Sequence, residues 1–395
     1  MSKKKIFGLD KNVFYIGLTS FLTDTSSKMV YSVMPLFLLS IGASKTSISL
    51  IEGIAESTAS LFKAFSGYWS DRIGKNKPFM IFGYGITALV TPVYAAVTTP
   101  LQVLLLRFFE RIGKGLRTAP RDSLISGSAP KNQAGKNFGF HKAMDNSGAI
   151  IGPLGAFILL SVFPLNYKYI FLLATIPAVL GVLAIIVFIK DARARPTAVR
   201  KKFHLNLLPK KFYFFLLIIF VFTLGNSADA LLLVKTAETG IDPSYVPFVY
   251  MVFNTVSVFL AVPVGKISDK IGRERLIIPG FLIYAIVYFL FGRFNSINVF
   301  IFLFILYGLY SALTDTAQKA LVSDIVSNDL KGTGYGLYHA VLGITLLPAS
   351  LIAGIMYDRI NANAPFYFGS AMALLATLLM IIFVLKYRNE KQVAD

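Results

Sequence analysis

The chain has no cysteine among its 395 residues, so disulfides, thiolate metal sites and cysteine nucleophiles are excluded. Histidine is nearly as scarce: His204 lies in a hydrophilic stretch, and only His141 and His339 stand near apolar runs. No Ser-His-Asp order, glycine-rich phosphate loop or metal-ligand histidine pair occurs. That leaves little material for an enzyme, and neither a metal nor a cofactor is expected. Charge is sparse as well, at 15% of residues against 55% hydrophobic. A soluble domain needs more charge than this, so the composition points to a membrane.

What is abundant is hydrophobic length. Twelve apolar runs are long enough to cross a bilayer as helix, at 12–40, 47–70, 78–97, 101–125, 137–161, 168–189, 211–236, 244–266, 275–293, 297–325, 332–357 and 363–386. Their continuity favours helices, because barrel strands would alternate in hydrophobicity. Met1-Ser2-Lys3-Lys4-Lys5 leads almost at once into a full-length span, so no cleavable leader is expected.

The net charge of +19 suggests nucleic acid until its placement is examined. Lys and Arg gather in alternate connections: Lys3–Lys5 and Lys11, Arg72 to Lys77, Lys131 and Lys136, Lys190 to Lys211, Lys266 to Arg275, and Lys386 to Lys391. The opposite connections hold few, chiefly Lys45, Lys168, Arg293 and Arg359. This asymmetry predicts cytoplasmic termini and a cytoplasmic central loop in a multi-pass protein of the inner (cytoplasmic) membrane. Nucleic acid is therefore not an expected partner, whereas anionic lipid headgroups are.

The chain is also written twice. Gly67-Tyr-Trp-Ser-Asp71-Arg72-Ile-Gly74-Lys75 returns as Gly265-Lys-Ile-Ser-Asp269-Lys270-Ile-Gly272-Arg273, an offset of 198 residues. Phe138-Gly139-Phe140-His141-Lys142-Ala143 is answered by Tyr335-Gly336-Leu337-Tyr338-His339-Ala340, and Thr118-Ala119 by Thr316-Ala317. Duplicated membrane halves are how secondary transporters are built. The expected fold is an all-α integral membrane protein of twelve transmembrane helices in two pseudosymmetric six-helix bundles. Residues 1–189 form the N-terminal bundle, 190–210 a basic linker and 211–395 the C-terminal bundle.

Polar groups are unevenly shared among the spans. The third, sixth, ninth and twelfth hold essentially no internal charge and read as lipid-facing scaffold. The first carries Asp24 and Lys28, which at i,i+4 either neutralise one another or serve function. The second carries Glu52 and Glu56, like charges on one face, so one must be protonated, paired or solvated at the outer interface. In the fourth, Arg107, Arg111, Lys114 and Arg121 fall along one stripe, offset in part by Glu110. Asp145, Asp229, Asp315 and His339 extend the set through later spans. Each such charge costs about 2.5–3.5 kcal/mol to insert and so faces a cavity or a partner. Arg121 apart, these twelve residues are the candidate substrate and coupling groups. A wall with excess Arg would attract a carboxylate or phosphate.

With these residues in view, the chain resembles the major facilitator superfamily over nearly its whole length. The family's loop signature is met at Gly67, Asp71, Arg72 and Gly74, with Lys75 standing where an arginine is usual. It is met again at Gly265, Asp269, Gly272 and Arg273. The resemblance implies that these turns gate the cytoplasmic side, with Arg117 and Arg121 pairing with Asp71. Gly148, Gly152 and Pro153 fit an exporter-associated glycine pattern, but Ala156 and Phe157 replace its terminal glycine pair. These three residues either flex the helix or let helices pack closely.

The function this implies is secondary active transport of a small polar, anionic organic solute such as an organic acid or carboxylate-type chelate. Proton-coupled alternating access is the expected mechanism; sodium stays open as the coupling ion, and a monomer is expected. The alternatives are a proton-antiport exporter of amphiphilic drugs and a non-transporting receptor or scaffold on the same fold. Orientation is directly testable because the parent contains no cysteine. A cysteine placed at Thr197 should resist an impermeant thiol reagent added outside intact cells; labelling there would invert the topology.

Overall fold

The computed structural model describes residues 5–7, 9–73, 75–128, 134–164, 166–191, 208–327 and 330–392. The basic linker falls almost wholly outside the described residues. After a two-residue hairpin, β1 (Lys5–Ile6) with β2 (Leu9–Asp10), the chain is helical. The first half supplies α1 (Lys11–Ser40), α2 (Lys45–Ile73), α3 (Lys77–Val93), α4 (Pro100–Gly127), α5 (Ala134–Val162) and α6 (Tyr167–Phe188). The second supplies α7 (Lys210–Gly225), α8 (Ala230–Ala237), α9 (Tyr245–Ile271), α10 (Glu274–Arg293), α11 (Ile297–Ile325), α12 (Lys331–Arg359) and α13 (Ala364–Gln392).

Local chemistry sets these boundaries. The Asp10 carboxylate caps α1 by accepting from the Asn12 amide at 2.9 Å. Thr99 and Gln102 close a capping box at the start of α4, with Pro100 in the first turn. Lys77 donates to the carbonyls of Ile186 (2.9 Å) and Ile189 (2.7 Å), satisfying acceptors at the end of α6. Gly272 ends the turn after α9 at a φ of 98°, a backbone conformation that costs glycine little and other residues more.

Among the described residues, nine helices are long and apolar enough to cross a membrane. The long helices α1, α2 and α4 are not among them. They are the helices that carry Asp24 and Lys28, Glu52 and Glu56, and the α4 cations. Conversely, α3, α6, α10 and α13 expose apolar stripes, for example Leu172, Ile176, Leu180 and Val187 on α6 and Leu374, Leu378 and Leu385 on α13. With no water to face in a bilayer, such stripes meet lipid tails, as their charge-free sequences predict.

The helices cluster into two compact units. One comprises Met1–Ala43, Thr58–Val199 and Ile241–Met251; the other comprises Ser44–Ser57, Arg200–Gly240 and Val252–Asp395. In the first, α1 packs on α5 and α6, and α3 packs on α4 and α6. In the second, α7 packs on α12 and α13, and α10 packs on α11 and α13, so the sequence repeat reappears as repeated packing. The first turns of α2 belong to the second unit. There Thr46 donates through its amide (2.8 Å) and hydroxyl (2.6 Å) to Asp358. Lys45 pairs with Glu238 at 3.5 Å, and Tyr357 donates to the same carboxylate.

The seventh span departs from the single helix expected at 211–236. It breaks after Gly225, where Asn226 takes φ −92° and ψ 83°, and resumes as α8. Side chains satisfy the freed backbone: the Tyr284 hydroxyl donates to the Gly225 carbonyl at 3.1 Å. An interrupted helix is tolerated in a membrane only where such partners exist.

Gly148 and Gly152 lie in an unbroken α5 and form its contact with α1. A Cβ at Gly148 would sit 2.6 Å from the Phe21 carbonyl oxygen, and one at Gly152 would sit 2.5 Å from that of Thr25. Both approaches are shorter than van der Waals contact and involve rigid backbone. Gly152→Ala should therefore destabilise by about 1–3 kcal/mol, read as a lowered thermal midpoint of the purified protein. Gly85→Ala, where a Cβ meets nothing within 4 Å, is the matched control and should not change it.

Candidate functional site in the first unit

Two linked polar groups occupy the interior of the first unit. The first lies where α1, α4 and the head of α9 meet. Arg107 is buried and its guanidinium contacts Glu110 at 3.1 Å, while the Tyr94 hydroxyl donates to the same carboxylate at 3.1 Å. The Arg107 guanidinium also lies 5.4 Å from the centre of the Tyr31 ring. Lys28 donates to the Tyr250 hydroxyl at 2.9 Å and lies 5.7 Å and 5.3 Å from the Tyr31 and Tyr250 ring centres. Cation–π contacts of this kind hold a cation without cancelling its charge.

The second group lies further along the same helices. Asp24 of α1 faces the side of α5 that carries Asp145, one turn before Gly148. Lys114 and Arg117 of α4 bear electrostatically on Asp24, and Arg121 and Lys142 bear on Asp145. Lys142 is 3.8 Å from the Asp145 carboxylate. Arg117 donates to the Thr87 hydroxyl (2.9 Å) and the Gly83 carbonyl (3.4 Å), and lies 4.1 Å from the centre of the Tyr84 ring. Ser20 connects Tyr84 (3.2 Å) to His141 Nε2 (2.8 Å).

The sequence-predicted residues thus divide by environment. Arg107, Glu110 and Arg111 are buried, Lys114 is exposed near the middle of α4, and Asp24, Lys28, Arg121 and Asp145 are half-buried. The α4 cations are therefore not one open wall. Arg107 is balanced by Glu110 within its own helix. Arg121 contacts Asp122 at 3.0 Å. The side chains of Gly67, Asp71, Arg72 and Asp269 are not described and Gly74 lies outside the described residues, so the expected gate partners of Arg117 and Arg121 carry no geometry.

The remaining candidates belong to the second unit. Glu52 is buried, with 1% of its surface exposed, and does not stand in open water; Glu56 is half-buried. Asp229 accepts from the Tyr307 hydroxyl at 2.8 Å beside the helix break. Asp315 is exposed on α11 and accepts from Ser311 at 2.9 Å. His339 is half-buried beside the ring of Tyr338. Arg273 contacts Ser268 (3.0 Å) and Asp324 (3.4 Å), while Gly265 has open space around it.

Tyr31, Tyr84, Tyr94, Tyr250 and His141 join the site although the sequence alone does not single them out, and in the second unit Tyr307 likewise meets Asp229. Tyrosine reads as hydrophobic in a span count, and only its pairing with an intramembrane charge reveals its role. His141 has one available signal: the repeat aligns it with Tyr338, which donates to Gln318 at 2.9 Å.

Helices of this length and apolarity, with charged groups organised inside their spans, define a multi-pass membrane protein of the secondary-transporter fold. The model of the Major Facilitator Superfamily matches residues 16–234 and again 213–395, and the chain belongs to that family. An uncharacterized MFS-type transporter of Methanocaldococcus jannaschii is 35% identical over 94% of this chain and 95% of its own length. The quinolone resistance protein NorA of Staphylococcus aureus is 23% identical over 95% of this chain and 97% of its own. Among solved structures, a POT family transporter bound to a thioalcohol-conjugated peptide superposes with a TM-score of 0.82 at 14% identity, covering 97% and 98% of the two chains. The nucleoside transporter NupG superposes at 0.78 with 13% identity, covering 94% and 99%. At these identities the likeness is one of fold.

The Arg107–Glu110 pair makes a quantitative prediction. Glu110→Ala deprives a buried guanidinium of this carboxylate, which should cost about 3–5 kcal/mol. Replacing both residues with apolar ones should restore most of the lost thermal stability. A Glu110→Ala variant as stable as the parent would show that the pair is not what balances Arg107.

Proposed function

We propose that this protein is a secondary active transporter that moves a small anionic organic solute, of the organic-acid or carboxylate-chelate class, by proton-coupled alternating access. One observation carries the reading: the sign of the charge held inside the first unit. In the interiors of α1, α4 and α5, Lys28, Arg107, Arg111, Lys114, Arg117, Arg121 and Lys142 outnumber Asp24, Glu110, Asp122 and Asp145. Intramembrane charges mark substrate and ion pathways by default. An excess of cations favours a solute that brings negative charge with it.

Within this excess, Lys28 and Lys114 are the residues we assign to the solute. Lys28 is oriented by the Tyr250 hydroxyl and two tyrosine rings, which fix where an incoming carboxylate would meet its ammonium. Lys114 is exposed near mid-helix, where exposure means contact with an aqueous path. The proton enters the reading through Asp24 and Asp145, since intramembrane carboxyl groups mark proton pathways and can cross between a charged and a neutral form. The basic connections orient the chain with both termini and the central loop in the cytoplasm of a cell whose inner membrane it spans. A second reading, export of amphiphilic drugs, is favoured by the likeness to NorA.

The test is uptake into proteoliposomes under an imposed pH gradient, offering organic acids, metal–chelate complexes and efflux dyes in parallel. Accumulation of an organic acid or chelate is expected. Lys28→Ala should raise its half-saturation concentration about tenfold or more, the loss expected for a charge-assisted hydrogen bond of about 1.5–3 kcal/mol. Transport of dyes alone, with Lys28→Ala unaffected, would replace this reading with the exporter.

A further inference from the structure

The α1–α5 contact is set by glycines, and it brings two acids together. Gly148 and Gly152 let α5 approach the α1 backbone between Phe21 and Met29, too closely for any side chain to stand between them. Asp145 stands three residues before Gly148 on α5, on the same face. On α1, the Asp24 Cβ lies 3.0 Å from where a Cβ at Gly148 would be. The two carboxyl groups therefore face one another across the seam, where two carboxylates sharing one buried site hold a single proton more readily than two full negative charges.

We propose that Asp24 and Asp145 form one proton-binding site, a carboxyl pair that holds a single shared proton across the α1–α5 seam. The pair carries one negative charge with the proton bound and two without it. Its surroundings are mostly cationic, which favours the doubly charged state and so lets the proton leave. Lys28 stands one turn along α1; Lys114, Arg117 and Arg121 face it from α4, with Asp122 paired to Arg121; His141 and Lys142 flank it on α5; Tyr84 approaches from α3. Against α6, α1 presents Thr19, bonded to the Gly181 carbonyl, and Thr23. The proton is taken from water on one side and released to water on the other, with no other group oxidised or covalently altered. On this assignment neither acid is a coupling residue alone, because the titrating unit belongs to both helices.

This deepens the proton coupling proposed above, yet it can be tested without a solute. Infrared difference spectra of the purified protein in liposomes, recorded between mildly acidic and mildly alkaline buffer, should contain a protonated-carboxyl stretch that titrates. Asp24→Asn and Asp145→Asn should each remove that band completely, because the surviving partner is left as an ordinary carboxylate beside several cations. Both substitutions preserve side-chain shape, and an unshifted size-exclusion profile confirms that the variants are folded. A band lost in only one variant would assign the proton to a single acid and overturn the pair, as would a band that survives in both or is missing from the parent. Accumulation driven by a pH gradient, assayed in parallel, separates the two readings. A titrating band in a protein that accumulates nothing leaves the carboxyl pair standing and sinks the transport assignment.

Discussion

Charge inside a bilayer has to be matched by something other than water, and much of this structure follows from how that matching is done. Three of the long helices, α1, α2 and α4, carry too many polar groups to qualify as simple spans. They are tolerated because neighbours meet those groups with opposite charge, aromatic faces or hydroxyls. Arg107 rests on Glu110 and Tyr31, and Arg117 on Thr87 and Tyr84. Lys235, buried on α8, donates to Asn363 at 2.9 Å. Each arrangement fixes a helix in rotation as well as in position. Polar matching therefore specifies the packing of these bundles in a way that lipid-like side chains could not.

Small residues supply the second constraint. Gly83 and Gly113 bring α3 onto α4, Gly115 brings α4 onto α2, and Gly148 and Gly152 bring α5 onto α1. Close approach shortens the distance between polar groups on facing helices, which is what makes the matching effective. The same principle operates in the second unit, where Gly53 of α2 meets Ser350 and Gly354 of α12 meets Thr46 and Ser49. Dispersion contacts between backbones accompany each approach and replace contacts that lipid would otherwise make.

Much of the architecture is legible in the amino-acid sequence. Span number follows from apolar run length, and the charge-free third, sixth, ninth and twelfth spans foretell the lipid-facing helices. The site is legible only in part. Charged residues advertise themselves within an apolar run, so Asp24, Lys28 and the α4 arginines stand out. Their partners do not, because a helix periodicity says which residues share a face but not which face meets which neighbour. Asp24 and Lys28 look like a self-contained pair at i,i+4, yet one faces the Asp145 side of α5 and the other donates to Tyr250. The break at Asn226 is hidden for a related reason: a run rich in Leu, Ile and Phe looks continuous until hydroxyls such as that of Tyr284 offer its backbone another option.

The allocation of chain to the two compact units bears on how the molecule is made. The unit that contains α1, α3, α4, α5 and α6 also contains Ile241–Met251, and its counterpart takes in Ser44–Ser57 from near the start of the chain. A ribosome delivers α1 to α6 first, but the Tyr250 hydroxyl that receives Lys28 is synthesised only after the linker and two further helices. During that interval Lys28 sits in a membrane without this acceptor. Neither half of the gene encodes a finished unit, so completion of the first must wait on translation of the second. A polypeptide severed in the linker would have to assemble its two pieces before either matured.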